Sequence, residues 1–253
     1  MFEVFSQLDA LQITFLVISA ILIGINKTAI PGLGVIPVMM LASVFETRLS
    51  TGLQLGMLAT ADLMAVAWYR RGADWKLILR LLLPWALIGL AAGSFILHQI
   101  PADNTSFMRR LIGGIVLFLA VISFIKSRLR PDQIPSGTAP AAFFGILLGT
   151  TTQLANAAGP VSSIYLLAMK LPKERYMGTA AWFFLIVNWI KVPIFFFEGR
   201  ITGESIMVDL AMIPVLILGA ATGILLLRKI PQQIFERIIQ IFVVAAAVKL
   251  LFF

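Results

Sequence analysis

The sequence contains no cysteine and a single histidine, His98. Without cysteine there is no disulfide framework, no thiolate metal site and no cysteine nucleophile. One histidine cannot form a histidine cluster, and no P-loop for a nucleotide is present. An enzyme would need a nucleophile with its base, or a metal cluster. We therefore predict that the protein is not an enzyme and holds no metal and no cofactor.

Charged residues are also scarce, at 13% of the 253 residues, whereas a soluble domain has roughly a quarter. Hydrophobic residues make up 60%, and the mean hydropathy is +0.97. No polar stretch is long enough to build a separate soluble domain. The composition predicts an all-α polytopic membrane protein, with a single membrane transport domain over residues 1–253. The N-terminal MFEVFSQLDA has acids but no Lys or Arg, so we expect it to remain in the mature protein.

The apolar segments of the chain have unequal lengths. They fall near residues 10–25, 32–45, 51–69, 77–97, 111–125, 139–155, 160–169, 177–197, 206–227 and 238–253. A helix needs about 20 residues to cross a bilayer, and the segments 10–25 with 32–45, and 139–155 with 160–169, are shorter. Each such pair predicts a hairpin of two short helices whose tip lies inside the membrane. Two complete crossings would restore the same side of the membrane, so ten full crossings remain the alternative.

The two short pairs stand at corresponding places in two similar halves. Pro84, Gly89, Gly93 and Pro101 each have a counterpart 130 residues later, in Pro214, Gly219, Gly223 and Pro231. Such fixed spacings indicate an internal duplication. We predict a first repeat over about residues 10–126, a cytoplasmic linker over about 127–138 and a second repeat over about 139–253. Each repeat would contain one short, possibly re-entrant, helical hairpin and three transmembrane helices.

The basic residues predict how the chain is oriented. With each hairpin returning to its starting side, thirteen Lys and Arg side chains collect on one side of the membrane and four on the other. The net charge of +8 therefore reflects topology rather than nucleic-acid binding. The positive-inside rule places both termini outside and the central loop in the cytoplasm, in the cytoplasmic (inner) membrane of the cell. Because three crossings separate the hairpins, the repeats would be inverted in topology, as in many secondary transporters.

Several duplicated motifs resemble the TauE/SafE family of membrane transporters, the sulfite-exporter family, over nearly the full length. They are Gly32-Leu33-Gly34-Val35-Ile36-Pro37; Ser50-Thr51-Gly52 and Gly178-Thr179; Arg71-Gly72-Ala73-Asp74-Trp75-Lys76; and Ile100-Pro101 with Arg110, repeated as Ile230-Pro231 with Arg237. The resemblance implies a transporter of two homologous halves that moves sulfite or small organosulfur anions. The family's glycine-dense opening is replaced here by NKTAIPG and TTTQLANAAGP, so the substrate could differ from that of a typical member.

Polar residues at the two hairpin tips are the candidate substrate site. Backbone at membrane depth must line a protein-enclosed or watery cavity, and Pro31 and Pro160 are placed to begin the second helix of each hairpin. The helix N-termini favour an anion, Lys27 adds a positive charge, and the neighbouring polar side chains donate hydrogen bonds. The predicted substrate-binding residues are Asn26, Lys27, Thr28, Thr151, Thr152, Gln153, Asn156, Asn188 and Lys191. The alternative is a tight cytoplasmic turn in which Lys27 only sets topology.

Asp62 and Lys191 are ionisable residues deep within predicted spans, which makes them functional candidates because burying a charge in lipid is costly. Asp62 would carry a coupling proton or form an ion pair with Lys27 or Lys191. These residues favour a secondary transporter that exports small anions by alternating access. An anion channel on the same fold is the alternative, and a structural scaffold remains possible if neither tip is accessible. The expected partners are a small anion and the lipid bilayer; the oligomeric state is not specified by the sequence.

Overall fold

The computed structural model describes residues 8–99 and 137–252, with side chains up to residue 242 apart from Val35 and Thr47. Within these ranges the chain forms nine α-helices and no strand. The helices are α1 Ala10–Thr28, α2 Val35–Val44, α3 Thr47–Tyr69, α4 Leu83–Gln99, α5 Thr138–Ala155, α6 Gly159–Ala168, α7 Lys173–Phe197, α8 Gly203–Lys229 and α9 Gln232–Phe252. A π-helical stretch, Leu77–Leu82, leads directly into α4. The apolar segment 111–125 and most of the predicted linker lie outside the described residues.

Five of these helices are long and apolar enough to cross a membrane: α1, α3, α4 with its π-helical stretch, α7 and α8. Their positions match the long apolar segments of the sequence to within a few residues. The prediction of an all-helical, multi-spanning membrane protein is therefore confirmed. The division into two repeats at about residue 127 stays a prediction.

Two helical hairpins combine one long and one short helix. The first hairpin is α1 and α2, joined by residues 29–34, and the second is α5 and α6, joined by residues 156–158. The second helix of each has 10 residues, which spans only about 15 Å at 1.5 Å per residue. The first helices have 19 and 18 residues. The expectation of a short helix is thus correct for α2 and α6 and wrong for α1, which is among the helices long enough to cross a membrane, whereas α5 differs by one residue from its predicted segment 139–155.

The helix α1 is longer than its apolar segment 10–25 because polar residues continue it. Lys27 and Thr28 form the last turn of α1, and residues 150–153 lie in the last turns of α5, although we grouped all of them with the hairpin tips. Thr28 Oγ1 donates to the carbonyl of Gly24 at 2.9 Å, and Thr151 Oγ1 donates to the carbonyl of Leu147 at 2.8 Å. Such bonds to the preceding turn satisfy the hydroxyls within the helix.

Close helix pairing holds the hairpins against the long helices. The helix α1 packs parallel to α8, and α4 packs parallel to α5. A Cβ added at Gly24 would lie 2.6 Å from the backbone N of Ala220, and one added at Gly149 would lie 2.8 Å from the backbone N of Leu90. Ala220 and Leu90 are 130 residues apart, the repeat spacing found in the sequence. The small residues therefore allow equivalent close approaches within one chain.

The helices α3 and α7 pack antiparallel to each other at the centre. Gly52, near the start of α3, lies against the backbone of Arg200 just beyond α7, while Gly178 near the start of α7 lies against Gly72 just beyond α3. Asp62 of α3 is ten residues from both Gly52 and Gly72. At 1.5 Å per residue Asp62 lies about 22 Å from the first residue of α3 and about 10 Å from the last, well inside a helix long enough to cross a bilayer core about 30 Å thick.

The described basic residues separate toward the two ends of this antiparallel pair. One end, which we call the basic end, carries Arg70, Arg71, Lys76, Lys173, Arg175, Arg228 and Lys229. Two of these residues connect segments at this end. Arg175 pairs with Asp74 at 3.1 Å, and Lys173 Nζ donates to the carbonyls of Leu227 and Ile230. The other end, the Arg200 end, carries Arg48 and Arg200. The separation agrees with the charge distribution used to predict topology, but the orientation in the cell stays a prediction.

Candidate functional site

An ion pair lies at the centre of the molecule. Lys27 Nζ, in the last turn of α1, is 2.6 Å from Asp62 Oδ1 of α3. Asn188 of α7 donates its Nδ2 to Asp62 Oδ2 at 2.6 Å. Lys27 Nζ also stands 4.2 Å from the ring centroid of Phe184, a cation–π contact. Asp62 is fully buried. Its carboxylate is paired with the charge of one lysine and accepts a hydrogen bond from one amide.

A second lysine, Lys191, stands three residues after Asn188 in α7. Lys191 Nζ donates to Thr152 Oγ1 at 3.0 Å and to Asn156 Oδ1 at 2.5 Å, and it is 0% exposed. No carboxylate of the described residues lies within 4.0 Å of it. Its ammonium is therefore held by neutral oxygens and by the Phe195 ring at 5.0 Å. Burying a charge without an ionic partner is expensive, so Lys191 remains a candidate for function, as the sequence predicts.

The tip of the first hairpin is organised by Asn26. Its Oδ1 accepts from the backbone N–H groups of Gly32 at 3.1 Å and Gly34 at 2.9 Å. Gly32 has φ of +111°, a conformation that favours glycine. The expectation that Pro31 begins α2 is wrong, because the helix begins at Val35 and residues 31–34 form a turn. The Asn26 side chain satisfies the N–H groups of that turn and keeps its own Nδ2 as a donor.

The tip of the second hairpin differs in detail. Asn156 ends α5 with φ of +54°, and its Nδ2 donates to the carbonyl of Thr51 at 2.9 Å. Pro160 stands in the first turn of α6, as the sequence predicts. With Lys191 donating to Thr152 Oγ1, the hydroxyl hydrogen of Thr152 remains to be donated elsewhere. The Thr152 hydroxyl oxygen already accepts a hydrogen bond from Lys191. Its hydrogen can therefore be donated to a bound solute.

Both tips meet at one cavity of about 50 Å³. A water molecule needs about 10–15 Å³ on this measure, so the space suits a few waters or one small oxyanion. Its lining comes from the first tip (Asn26, Lys27, Pro31, Gly32, Gly34), the second tip and α6 (Thr152, Asn156, Ala157, Gly159, Ser162), α3 (Leu58) and α7 (Tyr176, Met177, Ala180, Ala181, Phe184, Asn188). The cavity is therefore a junction of both hairpins with the central pair of helices.

The predicted site residues divide into two groups. Asn26, Lys27, Thr152, Asn156 and Asn188 line the cavity, and Asp62 and Lys191 bond directly to members of that group. Thr28, Thr151 and Gln153 face elsewhere. Thr28 bonds to Gly24 and to Ala220 of α8, Thr151 bonds within α5, and Gln153 donates to Ser94 Oγ at 2.8 Å and Glu198 Oε1 at 3.3 Å.

Sequence reasoning missed several residues near the site. Arg200 was counted only as a topology charge, yet its Nε is 2.9 Å from Glu198 Oε2 and its NH1 donates to the carbonyl of Gln153. Burial lowers the pKa of the Arg200 guanidinium, and the adjacent Glu198 opposes that shift. Tyr69 donates its hydroxyl to the carbonyl of Thr28 at 2.7 Å. The sequence Glu198-Gly199-Arg200 after α7 was the available signal for the Arg200–Glu198 ion pair. The contact of Phe184 with Lys27 had no such signal, because nothing in the sequence distinguishes Phe184 from the other phenylalanines.

A comparison with protein families decides the assignment. The sequence model of the family described as Sulfite exporter TauE/SafE matches residues 16–250. The chain belongs to the TauE/SafE family. No curated protein and no solved structure matches it. The resemblance noted from duplicated motifs is thus confirmed, and the matched range includes both hairpins and the central helices.

For a TauE/SafE protein, the electrostatics of this site are informative. The family assignment implies a membrane transporter of small anions. Lys27 and Lys191 lie close to one carboxylate, Asp62, so this part of the described site has two basic side chains and one acidic side chain. No group of three or more His, Cys, Asp or Glu that could hold a metal occurs in the described ranges. Charge-assisted hydrogen bonds to an oxyanion are the chemistry that these residues provide.

Proposed function

We propose that this TauE/SafE protein is a secondary transporter that exports sulfite or small organosulfur anions across the cytoplasmic membrane by alternating access. The observation that carries the proposal is the meeting of both hairpin tips at one cavity beside two lysines and a buried carboxylate. A positive charge in a low-dielectric site attracts an anion strongly. The small volume of the cavity favours a compact solute.

The substrate would bind by competing with Asp62 for Lys27. In the structure Asp62 Oδ1 forms an ion pair with Lys27 Nζ at 2.6 Å. An arriving oxyanion would take over part of that contact and accept hydrogen bonds from Asn26 Nδ2 and the Thr152 hydroxyl. Asn188 Nδ2 would still hold Asp62 through its 2.6 Å bond. The ion pair thus neutralises Asp62 in the empty site, and the anion finds donors already arranged around it.

The arrangement of the helices supports inverted halves. Gln12 Nε2 of α1 donates to the carbonyl of Val44 at the end of α2, so the first hairpin opens toward the start of α3, at the Arg200 end. The second hairpin opens at the opposite, basic end, because α6 is followed after four residues by α7 starting at Lys173. Each hairpin also packs parallel to the long helix of the other half. Hairpins entering from opposite ends are the geometry that alternating access requires.

Counterflow in proteoliposomes tests the transport proposal and separates it from an anion channel. Liposomes are preloaded with unlabelled sulfite and diluted into labelled sulfite. A carrier couples outward to inward movement, so we expect labelled sulfite to accumulate transiently above its external concentration. A channel only dissipates the gradient and gives no such overshoot. Flux without overshoot would favour the channel, and no flux above protein-free liposomes would reject sulfite as the substrate.

Cysteine labelling tests the proposed orientation. The chain has no native cysteine, so single cysteines report without background. Glu204 at the start of α8 and Lys229 at its end are both exposed. With the basic end in the cytoplasm, we expect Glu204→Cys to react with an impermeant maleimide on intact cells and Lys229→Cys to react only after permeabilisation. The reverse pattern would place both termini in the cytoplasm and overturn the orientation.

A further inference from the structure

A second aspartate, Asp209, lies partly buried in the membrane domain, away from the cavity. Asp209 stands six residues beyond the first residue of α8, about 9 Å along the helix. Its carboxyl packs directly against Gly56 of α3, where an added Cβ would overlap Asp209 Oδ2. Gly56 therefore makes the space that this side chain occupies. Asp209 Oδ1 is buried and has no hydrogen-bond partner among the described residues.

The charged groups on the surrounding helices do not neutralise Asp209. Among the described residues, α8 and its neighbours α1 and α3 carry Lys27, Arg48, Asp62, Glu204, Arg228 and Lys229, with Asp9 and Glu46 at helix starts. None of the cations lies within 4.0 Å of the Asp209 carboxyl. Lys27 is paired with Asp62, and Arg48 is eight residues, about 12 Å, from Gly56 along α3. Arg200, beyond α7, is paired with Glu198.

The two intramembrane aspartates are therefore in opposite situations. Asp62 has a lysine and an amide donor, which stabilise its ionised form. Asp209 has neither, and an ionised carboxylate without partners is costly in a low-dielectric environment. A metal cation would need several further oxygen ligands, and the described residues form no group of three or more His, Cys, Asp or Glu that could hold one. A proton is the ligand that satisfies a lone carboxyl in this position.

We propose that Asp209 is the proton-carrying group of this transporter. A proton from water binds at Oδ1 to give the neutral acid in the packed state seen here, and the same O–H bond breaks when α8 and α3 separate and water reaches the carboxyl. One proton is bound and released in each transport cycle. The position near the Arg200 end gives the carboxyl a short route to that surface. This inference rests on the proposed transport function, and it assigns the coupling ion to Asp209 rather than to Asp62.

The test uses Asp209→Asn, which keeps the shape of the neutral acid and cannot release a proton. In proteoliposomes we expect an imposed pH gradient to stimulate sulfite flux by the wild-type protein. Asp209→Asn should retain sulfite counterflow and lose the response to the gradient. Glu204→Gln removes an exposed carboxylate on the same helix and should respond as the wild type does. Sulfite itself changes its protonation equally in all three samples. A difference in gradient response between the variants is therefore caused by the protein.

Two further measurements complete the test. Infrared difference spectroscopy of the wild type should show a protonated carboxyl C=O band that disappears in Asp209→Asn, and this readout does not depend on flux. Gly56→Ala should shift that band, since the added methyl displaces the carboxyl. An unchanged gradient response in Asp209→Asn, the absence of the band, or a response to a sodium gradient instead would each overturn the proposal. Wild-type protein that moves no sulfite but shows the band would reject the proposed substrate, not the protonation of Asp209.

Discussion

Replacing Lys27 by Gln is expected to abolish most sulfite transport and also to destabilise the protein. The ammonium is the cavity's own charged donor, and a charge-assisted hydrogen bond contributes about 1.5–3 kcal/mol, so apparent affinity should fall about 10- to 100-fold. The same substitution leaves Asp62 buried without its 2.6 Å partner. Breaking a buried pair from one side costs about 3–5 kcal/mol. Sulfite flux in proteoliposomes and thermal unfolding in detergent measure the two effects.

The double variant Lys27→Gln/Asp62→Asn separates binding from stability. It removes both charges and keeps polar side chains of similar size, so unfolding should return close to the wild-type temperature. Transport should remain lost, because the cation that attracts the anion is still absent. Wild-type flux in the double variant would show that Lys27 serves only to neutralise Asp62 or to set topology, and the site proposal would then be wrong.

Replacing Lys191 by Met is expected to reduce transport without reducing stability. Lys191 is fully buried and has no carboxylate partner among the described residues, so removing its charge relieves a desolvation cost of several kcal/mol. An anion bound to the Thr152 hydroxyl would lie about 6 Å from Nζ, an attraction of about 2–3 kcal/mol. We therefore expect apparent sulfite affinity to fall roughly 30- to 100-fold, while the unfolding temperature stays the same or rises.

The matched control for this variant is Lys76→Met, which removes an exposed lysine at the basic end. It should leave both flux and unfolding temperature near the wild-type values. A marked loss of stability in Lys191→Met with unaltered flux per folded molecule would instead identify Lys191 as a structural anchor for the second tip. Loss of function combined with equal or greater stability is the signature of a residue kept for function.

The fold was predictable where the sequence pattern reflects lipid contact. The long apolar segments become α3, α4, α7 and α8, because helices facing hydrocarbon must be apolar over the thickness of the bilayer. The end of α1 was not predictable in this way, whereas α5 ends at residue 155, as its apolar segment does. The last turn of α1 contacts α8, so Thr28 could be polar and helical. Hydropathy reflects whether a residue faces lipid. Where the end of a helix is surrounded by protein, its residues can be polar, and the apolar segment then stops before the helix does.

The site was predictable in its charges and less so in its geometry. Lys27, Asp62 and Lys191 stood out because ionisable residues inside spans are costly, and the structure brings them around Asn188. The direction in which each tip side chain points depends on the rotation of α1 and α5 against α8 and α4. That rotation is set by the close approach at Gly24 and Gly149, a tertiary contact that a list of polar residues does not contain. Thr151 and Gln153 therefore could not be distinguished from Thr152 beforehand.

The contact between Asp62 and Asn188 has an evolutionary consequence. The two residues are 126 positions apart, close to the spacing of the duplicated motifs, and they meet where the two antiparallel central helices cross. If the halves arose by duplication, as the motif spacing predicts, two copies of one half-length ancestor would have placed identical side chains here, acid against acid or amide against amide. An acid facing an amide needs two halves that differ in sequence, and fusion into one polypeptide lets each half mutate independently. Fusion would then have allowed a single carboxylate, with its lysine, to occupy this contact.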